Sequence, residues 1–459
     1  MAKLIASYLC LLVVCLSAAR FVVSSDATLN DHDHDELYLH GITFGEDALT
    51  NPGVMNLHML NGTESSGAVC LDGTPGGFYF SAASSAEHAK DWQIYFQGGG
   101  WCYDEEDCWG RSSTNLGSSK NWAQTGSLGG ILSSDCSKNP DFCSFNRVWL
   151  VYCDGNSFSG NRDQPVNVKG LDGNVKPLYF RGRRIIDETL KALHENFGLE
   201  KAENVLLTGC SAGGLATYLH TDYVHEELKS KWATGLTKFK ASAISGFFLE
   251  HNTVEGKPVY PDEMKSIFEL ANSTHGLNDA CIAAHRASGD EWKCNFAQHA
   301  YAHTASDTFP LNSALDSWQT GCIYTSELAP GFPNQNSTAN GVCSSAAGGQ
   351  WSACSGNPES CNATQMETMN KYIDDFEETI KTAGATYNRP GNGAFIHSCH
   401  THCEAQGDAF FTFAVNGVTM QSAVSKWWNS DGTDPAAEHS YESCKYKTTT
   451  SPHKCNPTC

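Results

Sequence analysis

The sequence predicts an α/β architecture, a mostly parallel sheet with helices on both faces and disulfide-bridged loop insertions. Two observations predict the sheet and a third the insertions. From about residue 69 onward, short aromatic and β-branched runs alternate with segments of helical periodicity, the pattern of parallel strands joined by helices. The runs end in Gly or in Gly-rich turns. The 20 Cys, and the Gly-, Ser- and Cys-rich stretch 320–361, predict bridged loops.

Taken in order, residues 78–81 and 92–97 read as strands, and 148–152 as another. Ile185, Ile186, Leu190, Leu193 and Phe197 share one face of a helix that stops at Gly198. A short buried strand follows at 205–207, then a helix carrying Leu215, Tyr218, Leu219 and Tyr223. Residues 239–244 read as a strand and 308–311 as a weaker one. Met366, Met369, Ile373, Phe376 and Ile380 recur at helical spacing and form a core face. Residues 394–396 read as a strand and 418–428 as a last helix. No flexible linker divides the chain, so one domain is expected over 45–445, with a Cys-containing tail over 446–459. No internal repeat is present, which disfavours a solenoid or propeller.

Lys and Arg number 30 against 51 Asp and Glu, a formal charge of −21. Such a chain lacks the basic face that phosphates require, so nucleic acid is not expected as a partner, nor is an anionic lipid surface. Lys3, the apolar run 4–16 and Ser17-Ala18-Ala19 have the form of a secretory signal peptide, assigned to 1–25. The run is too short to span ~30 Å of hydrocarbon, and no later stretch approaches the ~20 apolar residues of a membrane helix. Cleavage after Ser25 removes Lys3 and Arg20 and no acid, leaving −23. Residues 26–44 are expected to form a mobile mature N-terminus. Its tract Asp31-His-Asp-His-Asp-Glu36 has metal-ligand types, but a solvated segment is the better reading. Loss of Cys10 and Cys15 leaves an even number of Cys, as in an oxidised secreted protein. Sequons at Asn61, Asn272, Asn336 and Asn362 fit the same compartment, extracellular or cell wall. A monomer is expected.

The sharpest motif is Gly209-Cys-Ser-Ala-Gly213, between the strand ending at Leu207 and a helix. That strand–turn–helix is the nucleophile elbow of α/β hydrolases. The turn strains the Ser211 backbone, and the flanking Gly residues let strand and helix approach closely. Ester cleavage places negative charge on the carbonyl oxygen, so fixed N–H donors are needed. Gln97-Gly-Gly-Gly-Trp101 follows an early strand, where such enzymes place oxyanion donors, and Ala212 supplies the amide after the nucleophile. No phosphate-binding Gly-x-x-x-x-Gly-Lys pattern follows.

Serine needs a base, and the base needs an orienting acid, in the order Ser, Asp or Glu, His. Asp316, just after the strand at 308–311, is the acid candidate. For the base, the strand 394–396 runs into His397-Ser-Cys-His400-Thr-His402-Cys403, and spacing alone leaves three His. Cys399, His400, His402 and Cys403 are also zinc-ligand types, but adjacent ligands suit one tetrahedral ion poorly and disulfides are the better use of the thiols. Cys210 is expected to be buried or bridged. No metal or cofactor is expected.

Gln97-Gly-Gly-Gly-Trp-Cys102, Asn115-Leu-Gly-Ser-Ser-Lys120, Asn139-Pro-Asp-Phe142, Tyr152-Cys-Asp-Gly-Asn-Ser-Phe-Ser-Gly160, Tyr179-Phe-Arg-Gly182 and Gly209-Cys-Ser-Ala-Gly-Gly214 occur in sequence order. Together they resemble the pectin acetylesterase family, which also includes the animal Notum carboxylesterases. The resemblance implies an α/β-hydrolase fold and a Ser-Asp-His triad. It carries the serine to Ser211, the acid to Asp316 and the histidine to His402, and the oxyanion donors to Gly100, Trp101 and Ala212. Two positions depart from the pattern: Phe96-Gln97 stands for Leu-Glu, and Glu404 stands for Gln. Asp154 is read as structural.

The expected activity is that of a secreted serine ester hydrolase, preferring acetyl groups on an O-acetylated polysaccharide. At this net charge, neutral or methyl-esterified polysaccharide is the better partner than bare polygalacturonate. The alternatives are Notum-like removal of a longer acyl chain from a lipidated protein, and a non-catalytic extracellular binding protein on the same fold. Trp101, Tyr103, Trp109, Phe158 and Trp318 are expected to approach the site.

Overall fold

Strands form where β-branched and aromatic side chains can be covered on both faces. The computed structural model describes residues 53–170, 173–326, 349–433, 438–442, 444–446 and 456–459. The strands in chain order are β1 Met55–Met59, β2 Gly77–Ser81, β3 Asp91–Phe96, β4 Thr125–Gly126, β5 Asn146–Leu150, β6 Val166–Lys169 and β7 Val175–Leu178. They continue with β8 Asn204–Cys210, β9 Lys238–Ile244, β10 Asp307–Ser313, β11 Ala394–His397, β12 Ala414–Val415, β13 Val418–Thr419 and β14 His439–Tyr441. Ten of them form one sheet in the order β14-β11-β10-β9-β8-β3-β5-β2-β1-β4. From β14 to β5 every pairing is parallel, and the β5-β2-β1-β4 end is antiparallel.

Helices cover both faces. Adjacent residues of a strand point to opposite sides. On β9, Phe239 stacks at 4.4 Å on His225 of the helix Ala212–Glu227. Its neighbour Lys240 instead donates to Trp427 O of the helix Met420–Asn429. The helix Gly182–Phe197 buries Ile185, Ile186, Leu190 and Leu193 and stops where Gly198 takes φ 87°. The helix Ala363–Thr382 starts in a capping box of Asn362 and Gln365 and buries its Met, Ile and Phe face.

Several elements were not legible in the sequence: β1, β4, the β6–β7 hairpin, β14, and the helices Glu105–Arg111 and Val259–Ala271. Pro261 hides the last of these, although Pro is tolerated in a first turn where no N–H is needed. Seven disulfides join described residues: Cys70–Cys153, Cys102–Cys108, Cys136–Cys143, Cys210–Cys403, Cys281–Cys294, Cys354–Cys361 and Cys399–Cys459. Cys322 and Cys444 are also disulfide-bonded. The expected signal peptide, the segment 26–44 with its Asp/His tract, Asn336 and much of the 320–361 insertion lie outside the described residues.

Candidate active site

The carboxyl ends of β8, β10 and β11 lie on one edge of the sheet because these strands run parallel. Each hands over one residue. β8 ends at Cys210, and Ser211 follows at φ 60° and ψ −128°, a sparsely populated region held by the elbow. Its N–H donates to Ile244 O at the end of β9, 3.1 Å away, and only 5% of the residue is exposed. Ala212 opens the helix Ala212–Glu227, so its N–H has no partner within the helix and lies at the positive end of its dipole. A Cβ on Gly213 would lie 2.0 Å from Phe96 O, so only Gly lets the helix start this close to β3.

Beyond β10, Asp316 is fully buried and caps a short helical turn: Oδ1 accepts from Trp318 N and Gln319 N, each at 3.0 Å. Oδ2 remains for His402, whose Nδ1 lies 2.8 Å away. An ionised carboxylate only accepts, so Nδ1 carries the proton and Nε2 presents its lone pair. The side chains of this pair are 3% and 0% exposed.

The three candidate histidines have three different partners. His397 Nε2 pairs with Glu404 Oε1 at 2.8 Å. His400 Nε2 meets Thr320 Oγ1 at 3.1 Å, and burial pushes this imidazole down to about 4, so it stays neutral near pH 7. Among the three, His402 is the one paired with Asp316. The disulfide Cys210–Cys403 then joins the residue before Ser211 to the residue after His402, with Cα atoms 5.7 Å apart. The thiols of the alternative zinc reading are therefore consumed, since Cys399 is bonded to Cys459 and Cys403 to Cys210.

The Gly-rich loop after β3 packs against this elbow. A Cβ on Gly98 would fall 2.4 Å from Cys210 O and 2.9 Å from Ser211 Cβ. Gly100 has φ 61°. The loop's carbonyls are held from behind. Arg111, buried, donates from Nη2 to Gly99 O at 2.8 Å and Gly100 O at 3.5 Å, and from Nη1 to Trp101 O at 3.4 Å. Its Nε reaches Leu116 O at 3.2 Å. Tyr152 donates from its hydroxyl to Gly100 O at 2.8 Å. With the carbonyls fixed, the amides of Gly100 and Trp101 donate to no acceptor among the described residues. The disulfide Cys102–Cys108 ties the loop to the helix Glu105–Arg111 that carries Arg111. Gln97, one departure from the family pattern, accepts from Tyr152 N at 3.0 Å and so fastens the loop's start to the end of β5.

Beside His402 lies a box of aromatic rings. Phe248 and Trp318 sit 6.1 and 6.4 Å from its imidazole. Trp101 packs on Phe248 at 5.0 Å and on Trp318 at 5.4 Å, and Phe248 on Trp318 at 5.2 Å. Tyr260 closes the group at 5.9 Å from Trp101. Of the expected pocket aromatics, Trp101 and Trp318 are thus brought in. Phe158 instead packs under the loop on Phe96 and Tyr152, and Trp109 lies against Lys176 and Gly170 of the β6–β7 hairpin. Tyr103 is buried, but no ring contact joins it to the box among the described residues. Asp154 accepts from Asn156 N, Phe158 N and Gly160 N, which accounts for it as a loop staple. Sequence reasoning missed Arg111, Phe248 and Tyr260. Among the described residues one further cluster has metal-ligand types, Cys281, His285 and His303, but Cys281 is bonded to Cys294 and only two imidazoles remain.

Known proteins resemble this chain in sequence and fold. The family model described as pectinacetylesterase matches residues 48–459. Pectin acetylesterase 5 of Arabidopsis thaliana is 29% identical over 462 aligned positions, 99% of this chain and 94% of that protein. Pectin acetylesterase 11 of the same plant is 30% identical, covering 87% of this chain and 91% of its own. The palmitoleoyl-protein carboxylesterase NOTUM of Schmidtea mediterranea is 30% identical over 54% of this chain and 46% of its own length. Among solved structures, the Wnt deacylase Notum from Drosophila superposes with a TM-score of 0.65 at 20% identity, over 88% of this chain and 99% of that one, which shows the α/β-hydrolase fold. The chain belongs to the pectinacetylesterase family and is a carboxylic ester hydrolase.

Proposed function

We propose that the protein is a secreted serine esterase that removes acetyl groups from an O-acetylated polysaccharide. The observation that carries this reading is the His402–Asp316 pair at 2.8 Å, bridged through Cys403–Cys210 to the strained Ser211 elbow. Ser211 Oγ attacks the ester carbonyl and passes its proton to His402 Nε2. Asp316 holds the imidazolium that forms. The oxyanion charge is met by the amides of Gly100, Trp101 and Ala212, and donors of this kind are worth about 3–4 kcal/mol each in such sites. The alcohol leaves with the proton from His402. A water deprotonated by the same imidazole then releases the acid from the acyl-enzyme. The bridged cysteines support secretion into an oxidising compartment.

Acetyl preference is supported by the aromatic box. Trp101, Phe248, Tyr260 and Trp318 are each at most 4% exposed and fill the volume beside His402 with one another. A long acyl chain needs that volume for itself. Exposed acids near the Gly-rich loop support a neutral chain: Glu105 and Glu106 lie on the helix whose Cys108 is bonded to Cys102. A polygalacturonate strand would meet like charge there.

The test is turnover of p-nitrophenyl acetate, butyrate and octanoate by the parent and S211A, then acetate release from acetylated pectin and xylan. The expected result is highest kcat/KM on acetate, release from the polysaccharides, and loss of several orders of magnitude in S211A. Faster octanoate turnover without acetate release favours protein delipidation instead. No labelling by a fluorophosphonate probe favours a binding protein.

A further inference from the structure

Behind the His402 loop lies a second carboxylate that the triad does not use. Glu404 and His397 are both buried and pair at 2.8 Å. Cys399 N donates to His397 Nδ1 at 3.2 Å, so Nδ1 carries no proton and Nε2–H donates to Glu404 Oε1. Burial raises this carboxyl, but the His397 imidazole and smaller contributions that include His402 outweigh it, and the group lies below its ordinary range.

The other oxygen, Oε2, accepts from Thr401 Oγ1 at 3.2 Å and from Ser245 Oγ at 3.3 Å. Ser245 Oγ in turn accepts the Cys403 N–H at 3.0 Å. Thr401 and Cys403 are the residues immediately before and after His402. One carboxylate thus holds both neighbours of His402 and anchors them, through Ser245, to the end of β9. The chain has Glu here where the family pattern noted in the sequence has Gln, so the charge is a feature of this chain.

We propose that Glu404 is a positioning residue that fixes the His402 turn in the esterase reaction. The inference rests on the Ser211-His402-Asp316 reading.

The test is kcat and KM for p-nitrophenyl acetate in E404Q and S245A, beside thermal melts, with S211A as the control for the triad. Gln keeps the shape and removes the charge, and S245A keeps the carboxylate and cuts its link to Cys403. In each, kcat is expected to fall about threefold to tenfold with KM unchanged, part of the ~10²-fold that a 1 Å misplacement costs. A purely structural Glu404 would lower the melting temperature and leave kcat and KM parental, which overturns the proposal. Should E404Q not fold, S245A decides: a fall in kcat at constant KM supports the positioning role, and parental kinetics overturn it. Turnover by S211A would overturn the triad reading and this inference together. Parental kinetics in folded E404Q with S211A inactive overturn this inference alone.

Discussion

Replacing Arg111 by Lys tests whether the oxyanion loop is aimed from behind. The guanidinium reaches four carbonyl oxygens, those of Gly99, Gly100, Trp101 and Leu116, at 2.8 to 3.5 Å. An ammonium keeps the charge, but its three donors spring from one atom and cannot span that spread. Tyr152 still holds Gly100 O. At least two of the other carbonyls lose their donor inside the protein, at about 1–3 kcal/mol each, so about 2–6 kcal/mol is released by letting the loop move. Movement rotates the Gly100 and Trp101 amides away from the oxyanion, and losing one such donor costs about 10²–10³ in kcat. The assay is p-nitrophenyl acetate turnover with separate kcat and KM, beside a thermal melt. A fall of about 10²-fold or more in kcat, with KM within about threefold, is expected. R111K with parental kcat and an unchanged melt would refute the argument. So would a loss confined to KM, because it would mean that the loop binds substrate and transition state alike.

Three further outcomes follow from single side chains. H402A should abolish turnover, while H400A should keep most of it, since His400 pairs with Thr320; kcat for the two variants on p-nitrophenyl acetate decides, and the reverse order would exchange their roles. W318A should open the box beside His402 and raise the octanoate-to-acetate ratio of kcat/KM by about tenfold, the scale of one or two buried methylenes. Glu263 is buried, and burial first, then the charges of Asp107, Asp104 and Asp262, push its carboxyl well above the ordinary range. Above the ordinary carboxylate pKa the unfolded chain has already lost this proton while the folded one keeps it. Stability therefore falls as pH rises from there toward the folded value. E263Q removes that slope, so its melting temperature should exceed the parent's near pH 7 and converge with it near pH 4.

The parts of the fold that announce themselves are those where burial is nearly complete. Val205, Leu206 and Leu207 read as a buried strand because nothing polar interrupts them, and β8 proves one residue longer at its start and three at its end. Asp316 was legible through chain order alone, because three parallel strands end on one edge. His402 was not. His397, His400 and His402 are chemically alike in sequence and differ only in what the fold places opposite them: Glu404, Thr320 and Asp316. Arg111 gave no signal because its partners are carbonyls, which every residue has. Trp109 was expected in the pocket, but a seven-residue helix does not show in advance which side it buries, and this ring faces the β6–β7 hairpin.

The sheet supplies direction but not registration. β8 and β11 bring Ser211 and His402 to the same edge, yet His402 sits five residues past the end of β11, in a segment without regular structure. The Cys210–Cys403 bridge spans 193 residues of sequence, and closing so long a loop in the unfolded chain stabilises the native state by on the order of 5 kcal/mol. That gain would be much the same for any bridge of similar span. What depends on this bridge's position is the distance between the proposed nucleophile and its proposed base, where an error of about 1 Å can cost about 10²-fold in rate. The same division recurs across the site. Cys102–Cys108 and Arg111 register the oxyanion loop, and Cys210–Cys403 and Glu404 register the histidine turn. In each case one covalent tie and one buried charge replace the regular hydrogen bonding that these loops lack.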